Sequence, residues 1–253
     1  MIRYRSLLAP LAGALCLALA GGAFAAEVPA NIAAGVANPA RPETQRARDA
    51  ARHPAEILAF AGVKSGDKVG DFLMGGGYFT RIFSGAVGPT GKVYGFQAAE
   101  FIGYMADYGK WQDETVAFAP NIAPVRASLG AFAFPEKLDL IFTAQNYHDL
   151  HLGMATPAQI AAIDRQLFDA LKPGGVLLVI DHYAADGSGD SQSNKLHRID
   201  IATVKSELTA AGFVLEAQSD ILRNPDDPRT ASVFDPSIQG KTDQFVLKFR
   251  KPK

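Results

Sequence analysis

The stretch Asn146-Tyr147-His148-Asp149-Leu150-His151 sets two imidazoles, a carboxylate and an amide side by side, and Asp181-His182 repeats the pairing of acid and imidazole farther along. A histidine near its ordinary pKa takes and returns protons at neutral pH, so His148, Asp149 and His182 form the candidate catalytic set. One histidine alone is more often a hydrogen-bonded loop residue; the convergence of several points to chemistry. Histidine, aspartate and asparagine also ligate cations, so a divalent metal is the alternative occupant of the same place, although no fixed-spacing metal motif accompanies it. His197 joins that set if the Gly- and Ser-bearing segment 184–194 folds over as a lid.

A second feature is Val69-Gly70-Asp71-Phe72-Leu73-Met74-Gly75-Gly76-Gly77-Tyr78-Phe79-Thr80, where an apolar strand breaks into three glycines and a helix begins. Glycine reaches positive φ and lacks a Cβ, so a ligand can approach such a backbone closely. With Asp71 just upstream, Gly75, Gly76 and Gly77 point to a nucleoside- or nucleotide-type cofactor, S-adenosylmethionine (SAM) or a dinucleotide. The loop by itself is equally a ligand-free turn. Tyr104, Tyr108 and Trp111 read as helix packing or an acceptor pocket, Arg46, Arg48 and Arg52 as a solvated helix face more than a seat for an anionic substrate, and Asp226 and Asp227 between prolines as a turn.

The elements that must position these residues alternate regularly. Strands are expected over 92–97, 122–127, 138–145 and 176–180, the last two apolar almost without interruption, as strands buried on both faces are. Thr156-Pro157-Ala158-Gln159 combines an N-cap threonine, a proline in the first turn and a glutamine that closes a capping box. The Ile160, Ile163, Leu167 and Leu171 stripe makes the following helix amphipathic, and Lys172-Pro173-Gly174-Gly175 ends it. A helix over about 199–211 precedes strands over 213–219 and 243–250. No crossover helix separates those two strands, so the last is expected to insert antiparallel. The whole predicts an α/β fold, a doubly wound Rossmann-like sheet of about seven strands. Asn146, His148, Asp149 and His151 then lie past the carboxyl end of the fourth strand and Asp181 and His182 past that of the fifth, on the edge where such sheets bind ligands.

Arg3 and Arg5 ahead of an apolar run and Ala23-Phe24-Ala25 match a cleavable export signal over 1–25, with Cys16 one of its apolar residues. Residues 26–41, rich in Ala, Pro and Asn, are expected to form an extended leader, and 42–253 one domain. Cleavage leaves no cysteine, and the formal net charge of −1 becomes −3 with Arg3 and Arg5 gone. That disfavours nucleic acid as a partner, and the signal implies the periplasm or secretion without stable membrane insertion.

Together the Asp71–Gly77 loop, the Leu138–Phe142 strand leading into Asn146-Tyr147-His148-Asp149, the Leu171-Lys172-Pro173-Gly174-Gly175 turn and the terminal strands resemble the class I SAM-dependent methyltransferases from about Asp67 onward. Gly-Gly-Gly-Tyr-Phe-Thr-Arg, His197-Arg198-Ile199-Asp200 and Gly240–Phe245 resemble, more narrowly, a group of exported bacterial proteins described as predicted methyltransferases. The resemblance implies SAM as cofactor and methyl transfer to a small-molecule acceptor. Asp71, Gly75, Gly76, Gly77, Gln97 and Asn146 would then contact the cofactor. Two positions depart from the family pattern: Leu73 stands where the loop's first glycine is usual, and Gln97 where an acidic residue holds the ribose diol. An amide oxygen is a poorer acceptor for a diol than a carboxylate. The alternative reading is a non-catalytic metal- or metabolite-binding protein that retains the fold. A nicotinamide-dependent oxidoreductase, suggested by Gly75-x-Gly77-x-x-Thr80, conflicts with the antiparallel last strand.

Overall fold

The computed structural model describes residues 28–153 and 155–253. The export signal expected over 1–25 lies outside them. Four short helices lead in: α1 (Ala30–Ala37), α2 (Glu43–Arg46), α3 (Asp49–Arg52) and α4 (Pro54–Ala61). Then follow β1 (Lys68–Phe72), α5 (Tyr78–Val87), β2 (Lys92–Ala98), α6 (Ala99–Tyr104), α7 (Asp107–Val116), β3 (Ile122–Ala127) and β4 (Leu138–Ala144). A 3-10 turn at His148–His151 precedes α8 (Pro157–Ala170), β5 (Leu171–His182), α9 (Ser193–Leu196), α10 (Ile201–Ala210), β6 (Val214–Ser219) and β7 (Gln244–Arg250).

The seven strands form one sheet in the order β3-β2-β1-β4-β5-β7-β6. β1 through β5 pair in parallel, and β7 inserts antiparallel between β5 and β6, as the missing crossover helix requires. One apolar layer packs α8 and α10 against one face through Ile160, Ile163, Leu167, Val204 and Leu208. The other packs α1, α4 and α5 against the opposite face through Ile32, Ile57, Leu58, Ile82 and Phe83. Thr156 caps α8 as its residues predict, accepting from the Gln159 backbone amide while the Gln159 side chain accepts from the Thr156 amide at 2.8 Å.

The expectation of an extended leader over 26–41 is corrected where the structure describes it, because α1 occupies 30–37 and lies against α5. The small residues that suggested disorder are what permit the packing. A Cβ on Gly35 would stand 2.7 Å from the Ile82 carbonyl oxygen, and one on Gly85 would stand 2.7 Å from the Gly35 Cα, so the two backbones touch. Ile32 is fully buried in the contact. After β2 the chain forms two helices, α6 and α7, broken at extended Met105.

Candidate functional site

β1 and β4 lie side by side, so the loops after their carboxyl ends share one crevice. Three non-glycine residues around it hold left-handed backbones: Leu73 after β1 (φ 60°), Gln145 after β4 (φ 64°) and His197 after α9 (φ 53°). Such conformations disfavour residues with a Cβ, cost on the order of 1 kcal/mol or more each, and concentrate at functional sites. Leu73 thus holds a left-handed turn at the position where the resemblance puts a glycine. Its carbonyl accepts from Asn146 Nδ2 at 2.8 Å, which ties the glycine loop to the end of β4.

Two concavities meet at Gln145 and Asn146, which line both. The first, of about 200 Å³, has Asp71, Gly75, Gly76, Arg48, Arg52 and Tyr78 among its walls. An added Cβ on Gly75 or Gly76 would meet nothing within 4 Å, so both glycines face open space. Asp71 is buried and accepts from Thr80 Oγ1 at 2.5 Å; burial pushes its carboxyl up to about 7, and the Thr80 hydrogen bond and the Arg52 charge only partly offset this. Arg52 lies over the Tyr78 and Phe79 rings at 4.4 and 4.9 Å, and burial with the nearby Arg48 charge lowers it to about 10. Arg52 thus leaves the solvated face expected of it, whereas Arg48 stays exposed as expected; both line this pocket and supply positive charge to it.

The second concavity, of about 560 Å³, is walled by Phe101, Tyr104, Tyr108, Leu152, Val233 and Phe234, with His148, Asp149, His182 and His197 on its polar side. Tyr104 is 87 % exposed and Phe234 60 % exposed, two aromatic lips on the cavity. His148 is the most firmly held of the polar groups. Its Nδ1 lies 2.8 Å from Asp181 Oδ1, while the other Asp181 oxygen accepts from the His148 backbone amide at 2.8 Å. Its Nε2 faces Asp149 Oδ1 at 3.1 Å and His197 Nδ1 at 3.3 Å. Burial alone would lower this imidazole, but the Asp181 and Asp149 carboxylates overcome it and push His148 up to about 10. His182 behaves oppositely. Its Nδ1 is bonded to Thr242 Oγ1 at 2.7 Å, and burial lowers it to about 4, so at neutral pH it is an uncharged wall of the cavity and a weak base.

Of the residues singled out from sequence, Asp71, Gly75, Gly76 and Asn146 line the first pocket, and Asn146, His148, Asp149 and His182 the second. Three others sit elsewhere. Gly77 is demanded by packing, since a Cβ there would fall 2.2 Å from Thr115 Oγ1 on α7, and it caps α5 with φ 72°. Gln97 is fully buried, lines neither pocket, and has neither amide atom hydrogen-bonded. His151 turns away toward Glu207 at 3.2 Å and Asp190 at 3.4 Å. His197 does join the cavity, with α9 bringing it there, and Tyr104 and Tyr108 line it while Trp111 does not. Phe234 was not signalled by any motif; an aromatic in the turn-rich stretch before β7 is the only trace it leaves in the sequence. A further concavity at the amino edge of the sheet is lined by cations with partners of their own, Lys172 on Asp139 at 2.7 Å and Lys248 on Glu216 at 3.1 Å.

SAM fits this crevice at one end. The open Gly75–Gly76 backbone, the Asp71 carboxyl and the two arginines suit an amino acid's ammonium and carboxylate. At the ribose end no carboxylate stands at the Gln97 position, and Glu100, the nearest acidic alternative, has both carboxylate oxygens 3.1 Å from the Leu129 backbone amide. The remaining surface available to a nucleoside is the aromatic wall of Phe101, Tyr104 and Tyr108.

No protein-family model matches the chain. Among curated relatives, the ubiquinone/menaquinone biosynthesis C-methyltransferase UbiE of Pasteurella multocida is 31 % identical over 122 residues, 48 % of this chain and 42 % of the relative. The chain thus spans under half of that relative. A SAM-dependent methyltransferase from Aquifex aeolicus superposes with a TM-score of 0.54 at 20 % identity, covering 78 % of this chain and 88 % of that one. The [4+2]-cyclase SpnF superposes equally well, TM-score 0.54 at 18 % identity over 85 % of each chain. The same architecture therefore serves more than one chemistry, and what the crevice does must be argued from its own residues. By the strand order, the inserted antiparallel strand and these likenesses, the chain has the fold of the class I SAM-dependent methyltransferases.

Proposed function

We propose that this protein is a SAM-dependent methyltransferase acting on a small-molecule acceptor. One observation carries the reading: the glycine-lined pocket and the histidine-bearing cavity adjoin at Gln145 and Asn146, which line both. A donor anchored in the first and an acceptor in the second face one another, which is the positioning methyl transfer needs most. When bound, SAM supplies a methyl group on a positively charged sulfur.

The residues of the chain do the rest. Gly75 and Gly76 leave room for the methionyl backbone, Asp71 receives its ammonium, and Arg48 and Arg52 balance its carboxylate. Asn146, pinned by bonds from its amide nitrogen to the Leu73 and Ala144 carbonyls at 2.8 Å each, separates donor from acceptor. The Leu152, Val233 and Phe234 side of the cavity excludes water and takes the apolar part of the acceptor. The His148, Asp149 and His197 face orients the acceptor's reacting atom, His148 as a protonated hydrogen-bond donor and the Asp149 carboxylate as the group that can take the acceptor's proton. The export-signal pattern read over residues 1–25 supports a periplasmic location, where the donor would have to arrive from the cytoplasm.

The test is calorimetric titration of the purified protein with S-adenosylhomocysteine, beside Gly76→Val. Nothing lies within 4 Å of a Cβ at this position, so the variant keeps its fold while the valine fills the donor pocket. The expected result is saturable one-to-one binding by the parent and at least a tenfold loss in the variant with an unchanged melting temperature. Equal binding by both, or none by the parent, overturns the reading.

A further inference from the structure

Three donor atoms on the cavity's polar side form a compact triangle: His148 Nε2 to Asp149 Oδ1 is 3.1 Å, His148 Nε2 to His197 Nδ1 is 3.3 Å, and His197 Nδ1 to Asp149 Oδ1 is 3.8 Å. Ligands bonded tetrahedrally to zinc at ordinary lengths stand about 3.3 to 3.4 Å apart. The triangle therefore needs adjustments of only a few tenths of an ångström to close on one ion. Among the described residues this is the one group of histidine and acid side chains whose donor atoms converge in this way.

The surroundings supply what such an ion requires. Asp181, wholly buried, takes the Nδ1 side of His148 at 2.8 Å and is itself held by the His148 and His182 backbone amides at 2.8 and 2.7 Å. A carboxylate behind the ring that fixes its tautomer and aims its second nitrogen at the ion is the usual support of a metal-bound histidine. Two imidazole nitrogens pointed at one another at 3.3 Å also need a cation or a proton between them. The charges agree, because Asp149 and Asp181 bring two negative charges to a pocket that a divalent ion with neutral imidazoles brings to zero. His197 reaches the triangle only through its left-handed backbone (φ 53°), a strain the fold maintains at that residue.

We propose that His148 Nε2, His197 Nδ1 and Asp149 Oδ1 form a binding site for one divalent transition-metal cation of the zinc type, open on the side that faces the cavity. Two nitrogens and one carboxylate oxygen are the donor set of catalytic rather than structural sites, which keep a position free. The proposal deepens the methyl-transfer reading and rests on it for its purpose: a cation here selects acceptors that carry an ionisable oxygen and makes that oxygen more acidic.

The test uses the metal alone. Chelator-stripped protein is titrated with zinc chloride by calorimetry and with cobalt(II) by visible absorption, beside His197→Ala, whose side chain is 27 % exposed and whose removal spares the core. The expected result is one zinc per chain at micromolar affinity or tighter and an intense four-coordinate cobalt spectrum. His197→Ala should weaken zinc at least tenfold with the melting temperature of the metal-free protein unchanged, and Asp181→Asn should weaken it 10- to 100-fold. No zinc binding below 100 µM, or zinc binding unaffected by His197→Ala, overturns the proposal. Binding of S-adenosylhomocysteine to the stripped protein separates the two readings. If it binds while zinc does not, the metal site fails and methyl transfer stands; if zinc binds while it does not, the reverse holds.

Discussion

Removing the Asp227 carboxylate should unfasten the outer wall of the acceptor cavity. Asp227 accepts from Arg198 Nη1 at 2.8 Å and Nη2 at 3.1 Å, and from the backbone amides of Asp243 at 2.7 Å and Arg229 at 2.9 Å, with both side chains of the pair fully buried. The same guanidinium donates to the Tyr183 and Ala231 carbonyls, so the pair ties the segment before β7, which carries Val233 and Phe234, to the end of β5 and to His197. Asp227→Ala leaves a buried guanidinium without its counter-charge, a change that costs about 3 to 5 kcal/mol. For a domain of this size each kcal/mol moves the melting temperature by roughly 2 to 4 °C, so the loss should be about 6 to 20 °C by scanning calorimetry. The double variant Arg198→Met, Asp227→Ala should lose less than the two single variants together, because the stranded charge goes with its partner. S-adenosylhomocysteine affinity, set across Asn146 in the other pocket, should survive below the lowered melting temperature. A loss of under 1 kcal/mol in Asp227→Ala, or strict additivity in the double variant, would refute the reasoning.

Donor binding should depend on pH through Asp71. Its carboxyl sits at about 7, so it is ionised and able to receive an ammonium only above that value, and S-adenosylhomocysteine affinity should fall on the order of tenfold from pH 8 to pH 6. Asp71→Asn should bind more weakly and show a flat profile in the same titration. Asp164, buried against Tyr147 with one oxygen unpartnered, is pushed up to about 7 by burial and the Glu207 charge, offset in part by Tyr147 and His151. Between the ordinary 3.8 and that value the folded chain holds a proton the unfolded chain has released, so this group's contribution to stability falls as pH rises through the window. Asp164→Asn cannot ionise, and urea denaturation should find it more stable than the parent by roughly 4 kcal/mol at pH 8 and little different at pH 4. Phe234→Ala removes a lip that packs edge-on against His197 at 4.8 Å between ring centroids and should raise the acceptor KM about fivefold, leaving donor affinity unchanged.

Much of the architecture could be read from the chain because local and global signals agree. The capping box of α8, the uninterrupted apolar runs of β4 and β5 and the missing crossover before β7 each follow from nearest-neighbour chemistry, and each appears in the fold. What could not be read depends on partners remote in sequence. Asp227 looks like a turn residue until Arg198, 29 positions earlier, is brought beside it. Gly75, Gly76 and Gly77 are indistinguishable as letters, yet two face open space and the third is fixed by Thr115 on another helix. Residues 30–37 read as leader because alanine and glycine give no apolar stripe, whereas two glycines are what a close helix crossing needs. His148 could be placed from its strand. Its bond to Asp181 and the approach of His197 were settled by the pairing of β4 with β5 and by the path of the loop after it.

The central claim is that donor and acceptor meet across Asn146. A crystal structure of the protein with S-adenosylhomocysteine tests it most directly. The amino-acid end of the molecule should lie against Asp71, Gly75 and Gly76 with its sulfur at Asn146, directed into the cavity that His148 lines. A sulfur turned away from that cavity, or a molecule seated elsewhere with the glycine pocket empty, would contradict it.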